Sequence, residues 1–313
     1  MSARGELAGP AVASERLAPV SARSELAGPA IANERLAPVS ARSELASPAV
    51  ANERSAPVSG GRLVSAVDLG LVGPGGPRPD ESGRRGPEEL RALAERAGRE
   101  LEGAPALEIA RWAAETFGDR FCVTSSMADA VLAHLVSRVA PGVDVVFLDT
   151  GLHFPETLRV RDEVARRLPV NVRSIRPRLT VGQQDGEYGP RLFNRSPDDC
   201  CQLRKVEPLE RALTGYDAWA AGLRRDESPT RANTPVVTFD ARRGRVKVNP
   251  IAAWKQADVD AYIARHDIPV NELFRRGYGS IGCWPCTRRT KAGEDPRAGR
   301  WAMFEKTECG LHL

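Results

Sequence analysis

Residues 121–153 read FCVTSSMADAVLAHLVSRVAPGVDVVFLDTGLH, and this stretch decides the fold. A short apolar run, Phe121–Ser125, gives way to a helical pattern over Ala128–Ser137 and then to a second apolar run, Val143–Leu148. Short apolar runs on either side of a period-3.6 segment predict strand, helix and parallel strand. The alternation continues downstream, with Pro155–Leu168 helical and Val170–Ile175 extended. Further apolar segments lie at Tyr216–Ala221, Val236–Phe239 and Val246–Val248. The expected class is α/β, a mostly parallel sheet with helices on both faces. Ligands of such sheets bind beyond the carboxyl ends of the strands. The first strand exits into Thr124-Ser125-Ser126-Met127-Ala128-Asp129-Ala130, where Ser125 and Ser126 can cradle an anion at a helix N-terminus. The plainer reading makes Ser126 an N-cap. The second strand exits into Leu148-Asp149-Thr150-Gly151, where Asp149 meets a ribose or base, or serves as a turn aspartate.

Upstream of this unit, Pro87 suits the first turn of a helix, and Leu90, Leu93, Ala94, Ala97 and Leu101 follow helical spacing. A second helix is expected over Ala106–Phe117, stopped by Gly118. Residues 59–86 read as a linker broken by Gly73-Pro74-Gly75-Gly76-Pro77. Residues 1–58 hold three copies of a 19-residue unit, the second reading SARSELAGPAIANERLAPV. Repeats at this spacing can stack into a solenoid, but each copy carries two prolines and no aromatic residue, too little to bury a shared core. The unit is expected to be disordered, with a partner-binding arm as the functional alternative. The expected organisation is a repeat tail (1–58), a linker (59–86), a catalytic body (87–300) and a mobile C-terminal tail (301–313).

Composition narrows the function classes. The 313 residues are 42% apolar and 27% charged, as in a soluble globular protein. No run approaches the roughly 18 apolar residues of a membrane-spanning helix. No basic patch followed by an apolar core marks a secretory leader, so a cytoplasmic location is expected. A net charge of +4 is too mild for a non-specific nucleic-acid binder, but it suits a pocket for small anions.

The six cysteines, Cys122, Cys200, Cys201, Cys283, Cys286 and Cys309, are all absent from the first 121 residues. Clustering of this kind reads as metal or redox chemistry rather than a disulfide scaffold. Adjacent Cys200 and Cys201 sit awkwardly on one zinc ion, whose thiolates at ~2.3 Å lie only ~3.8 Å apart. Neighbouring residues send their side chains more easily to two irons of a cubane, with Cys283-Trp284-Pro285-Cys286 supplying the other two ligands. A structural zinc site is the alternative. Cys122, within an apolar strand, reads as an inert core thiol. Cys309 lies in the terminal Glu308-Cys309-Gly310-Leu311-His312-Leu313, near Lys306 and His312, where a mobile thiol can act as a nucleophile; otherwise it is an incidental terminal cysteine. Arg204, Lys205, Arg224, Arg225, Arg288, Arg289, Lys291, Arg297 and Arg300 flank these motifs. They are either a solvated charged face or the guanidinium groups that a phosphate- or sulfate-bearing substrate requires.

Three motifs, Cys-Cys-Gln-Leu-Arg-Lys-Val-Glu-Pro-Leu at 200–209, Gly-Cys-Trp-Pro-Cys-Thr at 282–287 and Glu-Cys-Gly-Leu-His at 308–312, resemble assimilatory adenylyl-sulfate (APS) reductases in content and order. Leu-Asp-Thr-Gly at 148–151 and Gly-Leu-Arg-Arg at 222–225 fit as well. The resemblance spans residues 87–313 and implies an adenine nucleotide alpha-hydrolase-like (PP-loop-like) fold. It implies one [4Fe–4S] cluster on Cys200, Cys201, Cys283 and Cys286, with Cys309 as the nucleophile that takes a sulfo group from APS. Reduced thioredoxin is the implied electron donor. Lys205 would link the cluster's charge to the substrate, Arg224, Arg297 and Arg300 would hold its phosphosulfate, and Ser125, Ser126 and Asp149 would surround the nucleotide. Related ATP pyrophosphatases carry Ser-Gly-Gly-x-Asp-Ser where this chain has Ser125-Ser126-Met127-Ala128-Asp129-Ala130. Without those glycines the backbone approaches a diphosphate less closely, which disfavours ATP cleavage. The rivals are the 3′-phosphorylated substrate PAPS, an ATP-dependent sulfur-transfer enzyme on RNA, and a four-cysteine zinc module. No nucleic-acid or membrane partner is expected.

Overall fold

The computed structural model describes residues 84–304, 306 and 308–312, all within a unit spanning residues 64–313. The repeat tail and most of the linker lie outside the described residues. Helix α1 (Pro87–Glu100) has its proline in the first turn and buries Leu90, Ala94 and Ala97, the spacing that the sequence predicts. Helix α2 (Ala106–Phe117) ends at Gly118, which takes a φ of 51° that a side chain would resist. There follow β1 (Phe121–Thr124), α3 (Val131–Ser137), β2 (Asp144–Leu148), α4 (Pro155–Arg167) and β3 (Asn171–Ile175). Three short helices, α5 (Val181–Tyr188), α6 (Leu192–Arg195) and α7 (Pro197–Cys201), run through a π turn at Gln202–Val206 into α8 (Glu207–Ala212). Strands β4 (Ala218–Ala220), β5 (Val237–Asp240) and β6 (Arg245–Val248) precede α9 (Gln256–His266).

The six strands form one sheet in the order β3-β2-β1-β4-β6-β5. All neighbours are parallel except β5, which pairs antiparallel with β6 at the edge. Alternation along each strand splits the core in two. Phe121, Val123, Val145, Phe147, Ala218, Ala220, Val246 and Val248 face a large apolar cluster that also takes in buried residues of α1–α4 and α9. Cys122, Val146 and Trp219 face the opposite side and pack with Leu209 of α8, Leu213 and Tyr216. Helices therefore cover both faces of a mostly parallel sheet, as the alternating sequence predicts.

One boundary differs. The helix expected from Ala128 starts at Val131, because Met127 is buried with a φ of 57° and Asp129 is drawn into an isolated bridge with Val270. The Asp129 carboxylate accepts the Val131 N–H at 2.9 Å, so Asp129 and not Ser126 satisfies the helix start. Helix α9 is not marked in the sequence because its core-facing stripe is only about one turn long, Val259 with the partly buried Tyr262 and Ile263.

Candidate active site

The carboxyl ends of β1, β2 and β4 open onto a cavity of about 550 Å³. Ser125 and Ser126 line it from the β1 exit, Thr150 and His153 from the β2 exit, and Gly222 and Arg224 from the β4 exit. The β1 loop is tied down from a distance. Asn271, fully buried, donates through its side chain to the Met127 carbonyl at 3.4 Å and to Thr157 Oγ1 at 3.1 Å. Its backbone N–H reaches the Ala128 carbonyl at 2.9 Å. Asp149 is not among the lining residues. Its carboxylate accepts the Gly151 N–H at 3.2 Å and pairs with Arg176 at 3.3 Å, which is the arrangement of a turn aspartate.

The four paired cysteines converge from two segments. Cys200 and Cys201 close α7, while Cys283 forms an isolated bridge with His153 and its thiol lies 3.3 Å from Thr150 Oγ1. Burial, followed by the charges of Cys201, Cys283 and Cys286, pushes the Cys200 thiol up to about 12. Burial and Cys283 push Cys286 up to about 11. Such mutual influence requires neighbouring sulfurs, although among the described residues no three His, Cys, Asp or Glu side chains form a ready-made single-ion site.

The π turn after Cys201 brings two consecutive cations into this buried region. Arg204, 2% exposed, donates to the carbonyls of Thr150 at 2.9 Å and Leu179 at 3.4 Å, and its Nε has no partner. Lys205 is also buried, with Nζ 5.8 Å from the centroid of the Trp301 ring. Burial works against the Lys205 charge, but Cys283, Cys309 and Cys201 outweigh it and hold the ammonium above the ordinary lysine value. Neither cation has a salt-bridge partner among the described residues. Two buried cations beside four thiols call for an anionic group, and a thiolate-ligated [4Fe–4S] cluster fits that donor set.

The remaining basic residues gather at the same cavity. Arg224, Arg297, Arg300 and Lys205 all line it, together with Arg231. Arg224 is held by Asp226 at 2.9 Å and Gln256 at 2.8 Å. Arg300 donates to the Ile281 carbonyl at 3.1 Å and lies 4.5 Å above the Trp301 ring. A Cβ on Gly282 would run into its guanidinium, so glycine there makes room for the cation next to Cys283.

The C-terminal segment, expected to be mobile, is packed into this cavity, where Cys309 is half-buried. The two charged neighbours read from the sequence have partners of their own. His312 is half-buried, with its Nδ1 out of reach of solvent, and its ring stacks on Trp219 at 5.9 Å; desolvation first, and then Lys247, drive its pKa well below the usual histidine value. Lys306 pairs with Asp198. Lys205 and Arg231, 104 and 78 residues upstream, join them around the tail. Arg231 was invisible in the sequence, since nothing marks it apart from the other arginines. Cys122 is fully buried with its pKa raised by burial, the inert thiol expected.

A nucleotide-sized cavity at the strand exits, lined by cations and backed by a four-thiol cluster, defines the class, and the sequence places the chain within it. The family model described as "Phosphoadenosine phosphosulfate reductase domain" matches residues 120–289, and the chain belongs to that family. It is 68% identical over 225 residues to an adenosine 5′-phosphosulfate reductase of Streptomyces coelicolor, covering 72% of this chain and 95% of that one. Proteins of the same name from Mycolicibacterium smegmatis and Mycobacterium tuberculosis are 53% and 50% identical, at the same coverage. The crystal structure of a phosphoadenylyl-sulfate (PAPS) reductase from Candida auris, a phosphate complex, superposes with a TM-score of 0.54 at 27% identity. The match covers 63% of this chain and 97% of that one. Among the described residues no helix is long and apolar enough to cross a membrane.

Proposed function

We infer that the chain reduces APS to sulfite and AMP in sulfate assimilation, through an S-sulfonated Cys309. The observation that carries this reading is the seating of Cys309 in the cation-lined cavity beside Lys205. The Cys309 thiolate attacks the sulfur of APS. The bridging S–O bond breaks, AMP leaves with its electron pair, and Cys309 carries an SO₃⁻ group. Arg224, Arg297 and Arg300 neutralise the phosphosulfate, where charge grows on the departing phosphate. Lys205 serves both the thiolate and the transferred group.

A thiolate of reduced thioredoxin then attacks the Cys309 sulfur. The S–S bond to the sulfo group breaks, sulfite departs with the electron pair, and a mixed disulfide remains. The donor's second thiol resolves that disulfide, restores Cys309 and leaves thioredoxin oxidised by two electrons. The tail has no second cysteine to perform this step, which supports an external dithiol. Cys200, Cys201, Cys283 and Cys286 would hold the [4Fe–4S] cluster, which when bound supplies compact negative charge that orients Lys205. Ser125 and Ser126 border the nucleotide end. Four thiolates shared by a cluster and a fifth that must stay reduced to react favour the reducing cytoplasm as the working compartment.

Sulfite release from APS with reduced thioredoxin tests the reading. Cys309→Ser is expected to keep the iron–sulfur absorbance of the wild type and to lose sulfite release by a factor of at least ~10³. Sulfite production by that variant would remove Cys309 from the mechanism.

A further inference from the structure

The tail is anchored by side chains that the reduction chemistry does not itself require. Glu308, immediately before Cys309, lies half-buried with both carboxylate oxygens engaged. Arg231 Nε donates to one at 2.8 Å and Arg231 Nη2 to the other at 2.9 Å, the paired fork that suits a guanidinium to a carboxylate. Arg297 Nη2 lies 3.2 Å from the second oxygen. Burial opposes the carboxylate charge, but Arg231 and then Arg297 outweigh it and hold its pKa below the ordinary glutamate value. On the far side of Cys309, Gly310 turns at a φ of 78°, Leu311 packs on the apolar cluster under the sheet, and His312 stacks on Trp219. Cys309 is thus held between an ion pair on one side and an apolar anchor on the other.

The ion pair continues inward. Arg231 also donates to Glu227, and Glu227 lies 3.7 Å from Arg224. The side chains Arg224, Glu227, Arg231, Glu308 and Arg297 alternate in sign from the cavity wall to the tail. We propose that the Glu308–Arg231 pair is the latch that seats Cys309 over the substrate, and that it opens each time thioredoxin collects the sulfo group. This rests on the reductase reading. Glu308 and Arg231 are positioning residues: they set where Cys309 spends its time and take no part in bond making. Weakening the pair impairs the step that needs a closed tail and spares the step that needs an open one.

The test uses the cluster-loaded full chain and Glu308→Gln, which keeps the shape and removes the charge. S-sulfonation of Cys309 by APS in a single turnover is expected to slow about tenfold or more. Discharge of the pre-formed sulfo-enzyme by reduced thioredoxin is expected to stay within about twofold of wild type. Alkylation of Cys309 by iodoacetamide in the free enzyme is expected to quicken severalfold, a readout that a loss of folded protein would not give at one site. Arg231→Lys, which keeps the charge and loses the fork, should fall between the two. A variant that sulfonates and alkylates at wild-type rates overturns the latch and leaves the reductase reading intact. A wild type that gains no sulfo group from APS overturns the reductase reading first.

Discussion

At the scale of single residues, buried charge separates what was legible from what was not. The cysteine groups could be read from the sequence because their spacing is local, Cys200 beside Cys201 and Cys283 three residues before Cys286. Arg231 could not, because its partner Glu308 is 77 positions away and only folding brings the two together. Lys247 is a third kind of buried charge. Burial, reinforced by Arg243 and Arg231, lowers its pKa to about 8, and its Nζ rests 5.1 Å from the centroid of the Trp219 ring. In the unfolded chain the ammonium titrates near 10.4. Folding therefore disfavours the proton by roughly 3 kcal/mol below pH 8, and this cost fades as pH rises from about 8 towards 10.4. Lys247→Met keeps the stem and loses a cation–π contact of about 1 kcal/mol. We expect it to stabilise the protein by about 1–2 kcal/mol at pH 7 and to show no gain at pH 10.5, measured by denaturant unfolding. An equal gain at both pH values would mean that the charge is not the cause.

At the scale of elements, the strands and long helices were legible where periodicity is strong. Phe121–Thr124, Asp144–Leu148 and Asn171–Ile175 fall within a residue of the runs read from the sequence. Legibility ended where long-range contacts override local pattern. The loop between β1 and α3 carries the serines expected to meet the nucleotide, yet its shape depends on Asn271, 144 residues beyond Met127. Asn271→Ala leaves the Met127 carbonyl and Thr157 without that donor. We expect a loss of about 2 kcal/mol in stability and a severalfold rise in KM for APS, with kcat less affected. A stability loss with KM unchanged would confine Asn271 to holding the fold. Asp149 shows the converse. Its place at a strand end made it a candidate, but Gly151 and Arg176 occupy its carboxylate.

At the scale of the whole molecule, three sequence segments meet at one site. The cysteine pair at the end of α7, the Cys-x-x-Cys turn and the terminal Glu-Cys-Gly-Leu-His are separated by long stretches of chain; Cys283 and Cys309 line the cavity, and Cys200 packs in one cluster with Cys283. Their order hinted at shared chemistry, while the seating of the tail required the folded sheet, since His312 stacks on Trp219 and Leu311 packs on the apolar cluster to which Trp219 belongs. The repeat tail of residues 1–58 lies outside the described residues.

The central claim is that Cys309 carries the sulfo group between APS and thioredoxin. Anaerobic incubation of the cluster-loaded protein with APS alone, followed by intact-mass measurement and peptide mapping, tests it most directly. The expected result is one SO₃ group on Cys309, released as sulfite when reduced thioredoxin is added, with PAPS run in parallel to fix the preferred nucleotide. An unmodified Cys309 after incubation with either nucleotide would contradict it.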